Sequence, residues 1–174
     1  MSNQQNSNIL LGIDPGLRVA GYSVISCTGS RVQLIDLGFL EQKSSESVQH
    51  RVGRFCEFAE DKINEHSVNA IALETPFLGK NAQTFLKLGY LRGTLYQLAY
   101  KHKLELHEFA PRQIKQAITG SGAAQKDQVA RALFMMFPGL TKFKCTVRND
   151  VTDALGIGLC GAMQASSNLR STLI

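Results

Sequence analysis

The chain has 174 residues, of which 44% are hydrophobic and 19% are charged, and its net charge at pH 7 is +5. This length suits one domain with a sizeable core. No apolar run approaches the roughly 18 residues that span a bilayer, so we expect no membrane-spanning helix. The first eight residues lack the features of a signal peptide, and the four cysteines lack paired spacing. We therefore expect a cytoplasmic protein without structural zinc.

Basic charge is concentrated in the second half of the chain. Between residues 101 and 148, nine basic residues stand against three acidic ones, whereas the rest of the chain is slightly acidic. A basic half beside acidic site residues suggests a polyanionic substrate. A solvated surface with a high isoelectric point is the open alternative.

Three apolar segments of strand length begin the predicted fold. Residues 8–14, 19–25 and 32–40 are joined by short turns, one of them predicted at 27–30, which favours an antiparallel meander. Pro15-Gly16 turns the backbone immediately after Asp14. The Asp14 carboxylate should therefore lie at the end of the first strand.

Helical and strand patterns then alternate. Apolar residues at helical spacing predict a helix from Val48 to Ile63, followed by a central strand that ends at Glu74. A second helix is predicted from Asn81 to His102, and a strand follows at 104–109. The apolar residues of this second helix spread over more of its surface than one narrow stripe. This breadth favours contact with a second copy of the chain, and core packing is the alternative.

In the last third of the chain, the sequence pattern predicts helices at 112–118 and 125–137 and a final helix from Asn149 or Asp150. Residues 140–148 are expected to form a basic loop, and residues after Ser166 a frayed end. The predicted fold class is α/β, with one mixed sheet flanked by helices. We expect a disordered tail at 1–8, one domain at 9–166 and a C-terminal tail at 167–174.

Four carboxylates lie at the ends of predicted elements. Asp14 and Glu74 end strands, while Asp150 and Asp153 share one face of the last helix. Carboxylates without a histidine or cysteine cluster favour Mg²⁺ or Mn²⁺. Two such ions would hold the attacking water and the leaving oxygen of a phosphodiester. The pattern predicts metal-assisted phosphodiester hydrolysis.

Structural roles are also open for single members of this set. Asp14 before Pro-Gly could be a turn residue, and Asp150 could be a helix N-cap. Glu74 and Asp153 are harder to explain in this way. The segment Asp14-Pro15-Gly16 also resembles the opening of actin-like and sugar-kinase ATPases, but this chain is too short for their second lobe.

Several motifs follow one another along residues 9–161 in a specific order and spacing. They include GIDPG at 12–16, Glu74, Phe77, LKLG at 86–89, RG at 92–93, APRQIK at 110–115, GSG at 120–122, and Asp150 with Asp153. This series resembles the RuvC family of Holliday junction resolvases, which have the ribonuclease-H-like fold. Pro76 is a departure, because an apolar β-former is frequent there in the family.

The resemblance implies a structure-selective endodeoxyribonuclease that resolves four-way DNA junctions by paired symmetric nicks in recombination and repair. It implies that Asp14, Glu74, Asp150 and Asp153 form the nuclease site and bind Mg²⁺ or Mn²⁺, with two ions per site. It also implies a homodimer that pairs through the helix beginning near Asn81, and a branch-migration motor of the RuvA and RuvB type as partner.

Four residues are expected to contact DNA. By resemblance, Phe77 stacks near the junction point, and Lys115 and Lys126 are basic residues important for cleavage. Arg112 lies nearby in the sequence. Two other functions remain open: a catalytically silent junction-binding scaffold, and a ribonuclease-H-like enzyme that acts on RNA–DNA hybrids or structured RNA.

Overall fold

The computed structural model describes residues 7–76, 82–142 and 148–171 of the chain. The strands within these residues are β1 (Asn8–Asp14), β2 (Val19–Thr28), β3 (Arg31–Glu41), β4 (Ala70–Glu74) and β5 (Glu105–Phe109). The α-helices are α1 (Val48–His66), α2 (Ala82–His102), α3 (Pro111–Thr119), α4 (Lys126–Met136) and α5 (Asn149–Ser171), and a 3₁₀ helix covers Pro138–Lys142.

The strands form one mixed sheet in the order β3-β2-β1-β4-β5. β1 pairs with β2, and β2 with β3, in antiparallel fashion, whereas the β1–β4 and β4–β5 pairs are parallel. This arrangement confirms the predicted mixed α/β sheet. Because β1 and β4 are parallel neighbours, their carboxyl ends lie at the same edge of the sheet.

Helices cover both faces of the sheet, which explains the nearly continuous apolar character of β1 and β4. Successive side chains of a strand point to opposite faces. Leu10 accordingly packs with Leu155 of α5, whereas Leu11 packs with Phe55 of α1 and Leu95 of α2. All five side chains are buried.

Glycines let α5 approach the sheet at backbone distance. A Cβ atom on Gly12 of β1 would lie 2.5 Å from the backbone nitrogen of Gly158 and 2.6 Å from the carbonyl oxygen of Ala154. A Cβ atom on Gly21 of β2 would overlap the carbonyl oxygen of Asp150. Gly21 is the register partner of Asp14. Because glycine has no side chain at these positions, the start of α5 can lie next to the end of β1.

The structure corrects several predicted boundaries. β2 continues to Thr28, so the turn is limited to residues 29–30, where Gly29 has a positive φ. Residues 138–142 form a 3₁₀ helix where a loop from 140 was expected, and residues 143–147 of that predicted loop lie outside the described residues. α5 begins at Asn149, one of the two predicted starts, so Asp150 lies in the first turn of the helix and is not its N-cap.

The helical backbone of α5 also continues to Ser171, five residues beyond the expected end at Ser166. Asn8, assigned above to the N-terminal tail, is the first residue of β1. Among the described helices, none combines the length and apolar character needed to cross a bilayer.

Candidate active site

The carboxyl ends of β1 and β4 place Asp14 and Glu74 side by side at one edge of the sheet. The residues before them, Ile13 and Leu73, are register partners in the parallel pair. Asp14, Glu74 and Asp153 line one cavity of about 280 Å³. The first turns of α5 thus bring Asp153 to the carboxylates of the two strands, as the sequence pattern predicts.

Asp150 lies beside this cavity without lining it. Its carboxylate is near enough to raise the pKa of Asp14, and its backbone packs on Gly21. The guanidinium of Arg148 approaches the Asp150 carboxylate to 3.8 Å. Asp150 is therefore a peripheral member of the acidic group in this structure, while Asp14 is its centre.

Burial raises the pKa of Asp14 from 3.8 to about 7, and the carboxylates of Asp153, Glu74 and Asp150 raise it in the same direction. Burial and the Asp153 carboxylate also raise the pKa of Glu74. Like charges that share a partly buried site disfavour ionisation, and a bound cation would relieve this repulsion. A set of hard oxygen donors suits Mg²⁺ or Mn²⁺, so the residues present fit the expected metal.

Two basic residues lie in the same cavity. Lys115 of α3 and Lys126 of α4 line it, and the ammonium of Lys126 lies 3.0 Å from Oδ2 of Asp153. The hydrogen bond to Asp153 raises the pKa of Lys126. Because the Lys126 side chain is 73% exposed, this ion pair can exchange for a contact with an incoming anion.

The structure does not bring every predicted residue to the cavity. Arg112 lies in the first turn of α3, exposed and packed near Gly122, and it does not line the cavity. Phe77 lies outside the described residues. Thr75 and Pro76, which precede it, line an adjoining apolar cavity of about 480 Å³ together with Phe85, Tyr96 and the two strand-end carboxylates.

Arg92 of α2 is a residue whose role the sequence pattern did not indicate. Its guanidinium donates a hydrogen bond of 2.6 Å to the backbone carbonyl of Glu74 and pairs with the Glu108 carboxylate of β5. The Arg92 side chain is 11% exposed. Arg92 thus links the end of β4 to α2 and β5 and holds the backbone of Glu74 in place. Its partners are 16 and 18 residues away, so local spacing carries no sign of this contact.

Among the described residues, the most compact group of possible metal ligands lies elsewhere. Ligand atoms of Asp36, Glu65 and His66 fall within 4.8 Å of one another. However, the ammonium of Lys62 lies 3.0 Å from Oδ2 of Asp36 and 2.8 Å from Oε2 of Glu65. A lysine already supplies the positive charge here, so we interpret this group as an ion-pair network that joins β3 to α1.

A protein-family model described as "Crossover junction endodeoxyribonuclease RuvC" matches residues 10–161. A protein of this name from Pelodictyon phaeoclathratiforme is 41% identical to the chain, over 91% of this chain and 82% of its own length. Another from Chlorobium phaeobacteroides is 41% identical over 90% of this chain and 82% of its own length.

Solved structures agree with these matches. The structure of T. thermophilus RuvC in complex with a Holliday junction substrate has a TM-score of 0.81 at 26% identity, over 92% of this chain and 96% of that one. The yeast mitochondrial Holliday junction resolvase, at 16% identity and a TM-score of 0.66, shares the fold. The predicted ribonuclease-H-like fold is confirmed. The chain therefore belongs to the RuvC family of crossover junction endodeoxyribonucleases, enzymes that hydrolyse phosphodiester bonds.

Proposed function

We propose that the chain resolves four-way DNA junctions and that Asp14, Glu74, Asp150 and Asp153 form its hydrolytic site. The observation that carries this proposal is the cavity in which three of these carboxylates meet two lysines. A single acidic residue at a strand end is common, whereas a partly buried carboxylate such as Asp14, whose pKa three neighbouring carboxylates raise, needs a cation to relieve the repulsion.

We propose Mg²⁺ or Mn²⁺ as this cation, with two ions per site. Asp14, Glu74 and Asp153 would hold it from the cavity wall, and Asp150 from its rim. When bound, the metal would polarise the phosphate and lower the pKa of the attacking water. The oxygen-only donor set supports this assignment.

Lys126 and Lys115 would bind the scissile phosphate and stabilise the charge that develops on it. Lys126 lies on the exposed side of Asp153, where it can exchange its carboxylate partner for a phosphate oxygen. Arg112 would contact the DNA backbone from the start of α3. Phe77 would stack on a nucleotide near the junction point, where stacking contributes about 1–3 kcal/mol per base.

The proposal is tested with a synthetic mobile four-way junction, a plain duplex and an RNA–DNA hybrid, each incubated with Mg²⁺, Mn²⁺ or EDTA. We expect paired symmetric nicks, with 5′-phosphate and 3′-hydroxyl ends, on the junction alone, and their loss in EDTA. Tight junction binding without nicking in either metal would indicate a scaffold. Preferential cutting of the hybrid would indicate a ribonuclease.

We further propose that the chain acts as a homodimer, so that two sites nick two strands symmetrically. Support comes from α2, whose large hydrophobic side chains are exposed beyond its buried stripe. These residues are Phe85, Leu86, Tyr90, Tyr96 and Tyr100, with exposed fractions from 37% to 88%. The same proposal includes a partner motor of the RuvA and RuvB type and a cytoplasmic location, because junction resolution follows branch migration on cellular DNA.

Charges on the exposed face of α2 should separate the two copies. The double variant Leu86→Glu with Tyr90→Glu is expected to be monomeric in light scattering and to lose paired nicking, because charged residues disfavour an apolar interface. Met135→Glu on α4 is the control, since Met135 is 81% exposed on another helix. A dimeric double variant, or a monomeric wild type at concentrations that give paired nicks, would contradict the proposal.

A further inference from the structure

A third cavity lies between the end of β3 and the start of α1. Its volume is about 610 Å³, and its walls carry the basic side chains of Arg18, Lys43 and Arg54 and the hydroxyls of Ser44 and Ser45. All five residues are exposed. We call this feature the β3–α1 cavity. None of its residues belongs to the acidic site described above.

The amino end of α1 adds to the positive character of this cavity. The first turn of α1 contains no acidic residue, and the Ser47 hydroxyl accepts the backbone N–H of His50 as an N-cap. Free N–H groups and the helix dipole make such an end attractive to anions. Exposed hydroxyls and basic side chains beside it are the donors that contact DNA phosphates.

Gln42 joins the cavity to the turn that follows Asp14. Its backbone N–H donates to the carbonyl of Arg18 at 2.8 Å, and its side-chain amide donates to the carbonyl of Leu17 at 3.4 Å. Gln42 is 4% exposed and lines the cavity, and its Oε1 accepts no hydrogen bond from the residues that the structure describes. Gln42 therefore holds the end of β3 against the turn that carries Arg18, and so fixes one wall of the cavity.

The cavity is close to the acidic site along the chain. Arg18 follows Asp14 by four residues, which can span at most about 14 Å. Base pairs in a duplex are about 3.4 Å apart, so this reach corresponds to about four base pairs. A DNA strand that enters the acidic site can therefore extend over the cavity.

Two carboxylates also lie in the cavity wall. Glu46 approaches Arg54 to 3.8 Å, and Glu41 approaches Arg148 to 3.9 Å. These separations are at the long end of ion pairs, and the side chains are partly exposed, so the pairs are weak. The guanidinium of Arg54 can therefore turn to a stronger anion such as a phosphate.

We propose that the β3–α1 cavity binds phosphates of a junction arm, within about four base pairs of the scissile phosphate. This inference rests on the proposed function. We favour the phosphate backbone of DNA over an acidic protein segment as the ligand. The exposed basic groups and hydroxyls of the cavity continue to the turn after Asp14, where the DNA strand would enter the acidic site.

The test compares wild type with the triple variant Arg18→Gln, Lys43→Gln and Arg54→Gln. The matched control is Arg31→Gln, Lys101→Gln and Lys103→Gln, which removes the same charge from exposed residues at the start of β3 and around the end of α2, none of which lines the cavity. Junction binding is measured in EDTA over a range of KCl concentrations, and thermal unfolding checks that each variant folds. We expect the cavity variant to bind about 10- to 100-fold more weakly and its salt slope to fall by about 0.9 for each lost phosphate contact. The control should lose less than about threefold.

Neutral methylphosphonate linkages, placed singly within about four nucleotides of the cleavage site, locate the contact. At one or more positions they should weaken binding by wild type and leave the cavity variant unaffected. Equal losses in both triple variants, an unchanged salt slope or identical methylphosphonate profiles would overturn the inference. Loss of binding to an acidic protein, with junction binding intact, would do the same. If wild type neither binds nor cuts the junction, the proposed function itself fails.

Discussion

Replacing Asp14 by Asn is expected to slow single-turnover cleavage of a four-way junction by at least about 1,000-fold. Asp14 faces the rest of the acidic group, because the carboxylates of Asp153, Glu74 and Asp150 all raise its pKa. The amide keeps the size of the side chain but removes the negative charge that would hold the metal. Cleavage is measured with protein in excess and in both Mg²⁺ and Mn²⁺.

Two further measurements separate loss of chemistry from loss of fold. In EDTA the Asp14→Asn variant should bind the junction at least as tightly as wild type, because one negative charge facing the phosphates is gone. It should also unfold at the same or a higher temperature in EDTA, since a charge in a partly buried acidic group is removed. Mg²⁺ should raise the unfolding temperature of wild type and not that of the variant.

Asp61→Asn on α1 is the matched control, because Asp61 is exposed on a helix outside the acidic group. Its cleavage rate should stay within about twofold of wild type, as is usual for surface substitutions. An Asp14→Asn variant that cuts within tenfold of the wild-type rate would remove Asp14 from the catalytic site.

Gly12→Ala is expected to destabilise the protein by about 3 kcal/mol or more, because overpacking of this kind typically costs 1–3 kcal/mol even where neighbours can move. Here the new Cβ atom would meet backbone atoms of Gly158 and Ala154 at 2.5–2.6 Å. Either α5 moves away from β1 or the strand bends. Since α5 carries Asp150 and Asp153, cleavage should fall together with stability.

Equilibrium urea unfolding measures the loss. Gly158→Ala provides a graded variant, because its Cβ atom would meet the Ser23 hydroxyl and not the backbone. The cost should be smaller, although rotation of Ser23 would break its hydrogen bond to the carbonyl of Ala154. In Gly53→Ala of α1 the new atom has no neighbour within 4 Å. That control should stabilise the helix by about 0.5–1 kcal/mol. A Gly12→Ala variant as stable as wild type would contradict the close approach of α5.

Local sequence patterns were sufficient for the elements and for most of the acidic site. Asp14 and Glu74 could be assigned to strand ends because apolar runs of strand length stop there and proline follows each within two residues. Asp150 and Asp153 could be assigned to one helix face from their spacing of three. Boundaries were less certain, as at Thr28, because pairing with β3 extends β2 beyond its local pattern.

Contacts between distant parts of the chain required the tertiary structure. The neighbouring positions of β1 and β4 bring Asp14 to Glu74, and no local pattern specifies this strand order. The hydrogen bond from Arg92 to Glu74, the ion pair of Lys126 with Asp153 and the β3–α1 cavity likewise join separate elements.

Periodicity, turn residues and carboxylate spacing are local properties, so they were enough to predict the element types and to group the four carboxylates, and local motifs carried the family resemblance. Which charged groups face one another is a property of the tertiary structure. That outcome depends on the strand order and on the closeness with which Gly12, Gly21 and Gly158 let α5 pack on the sheet.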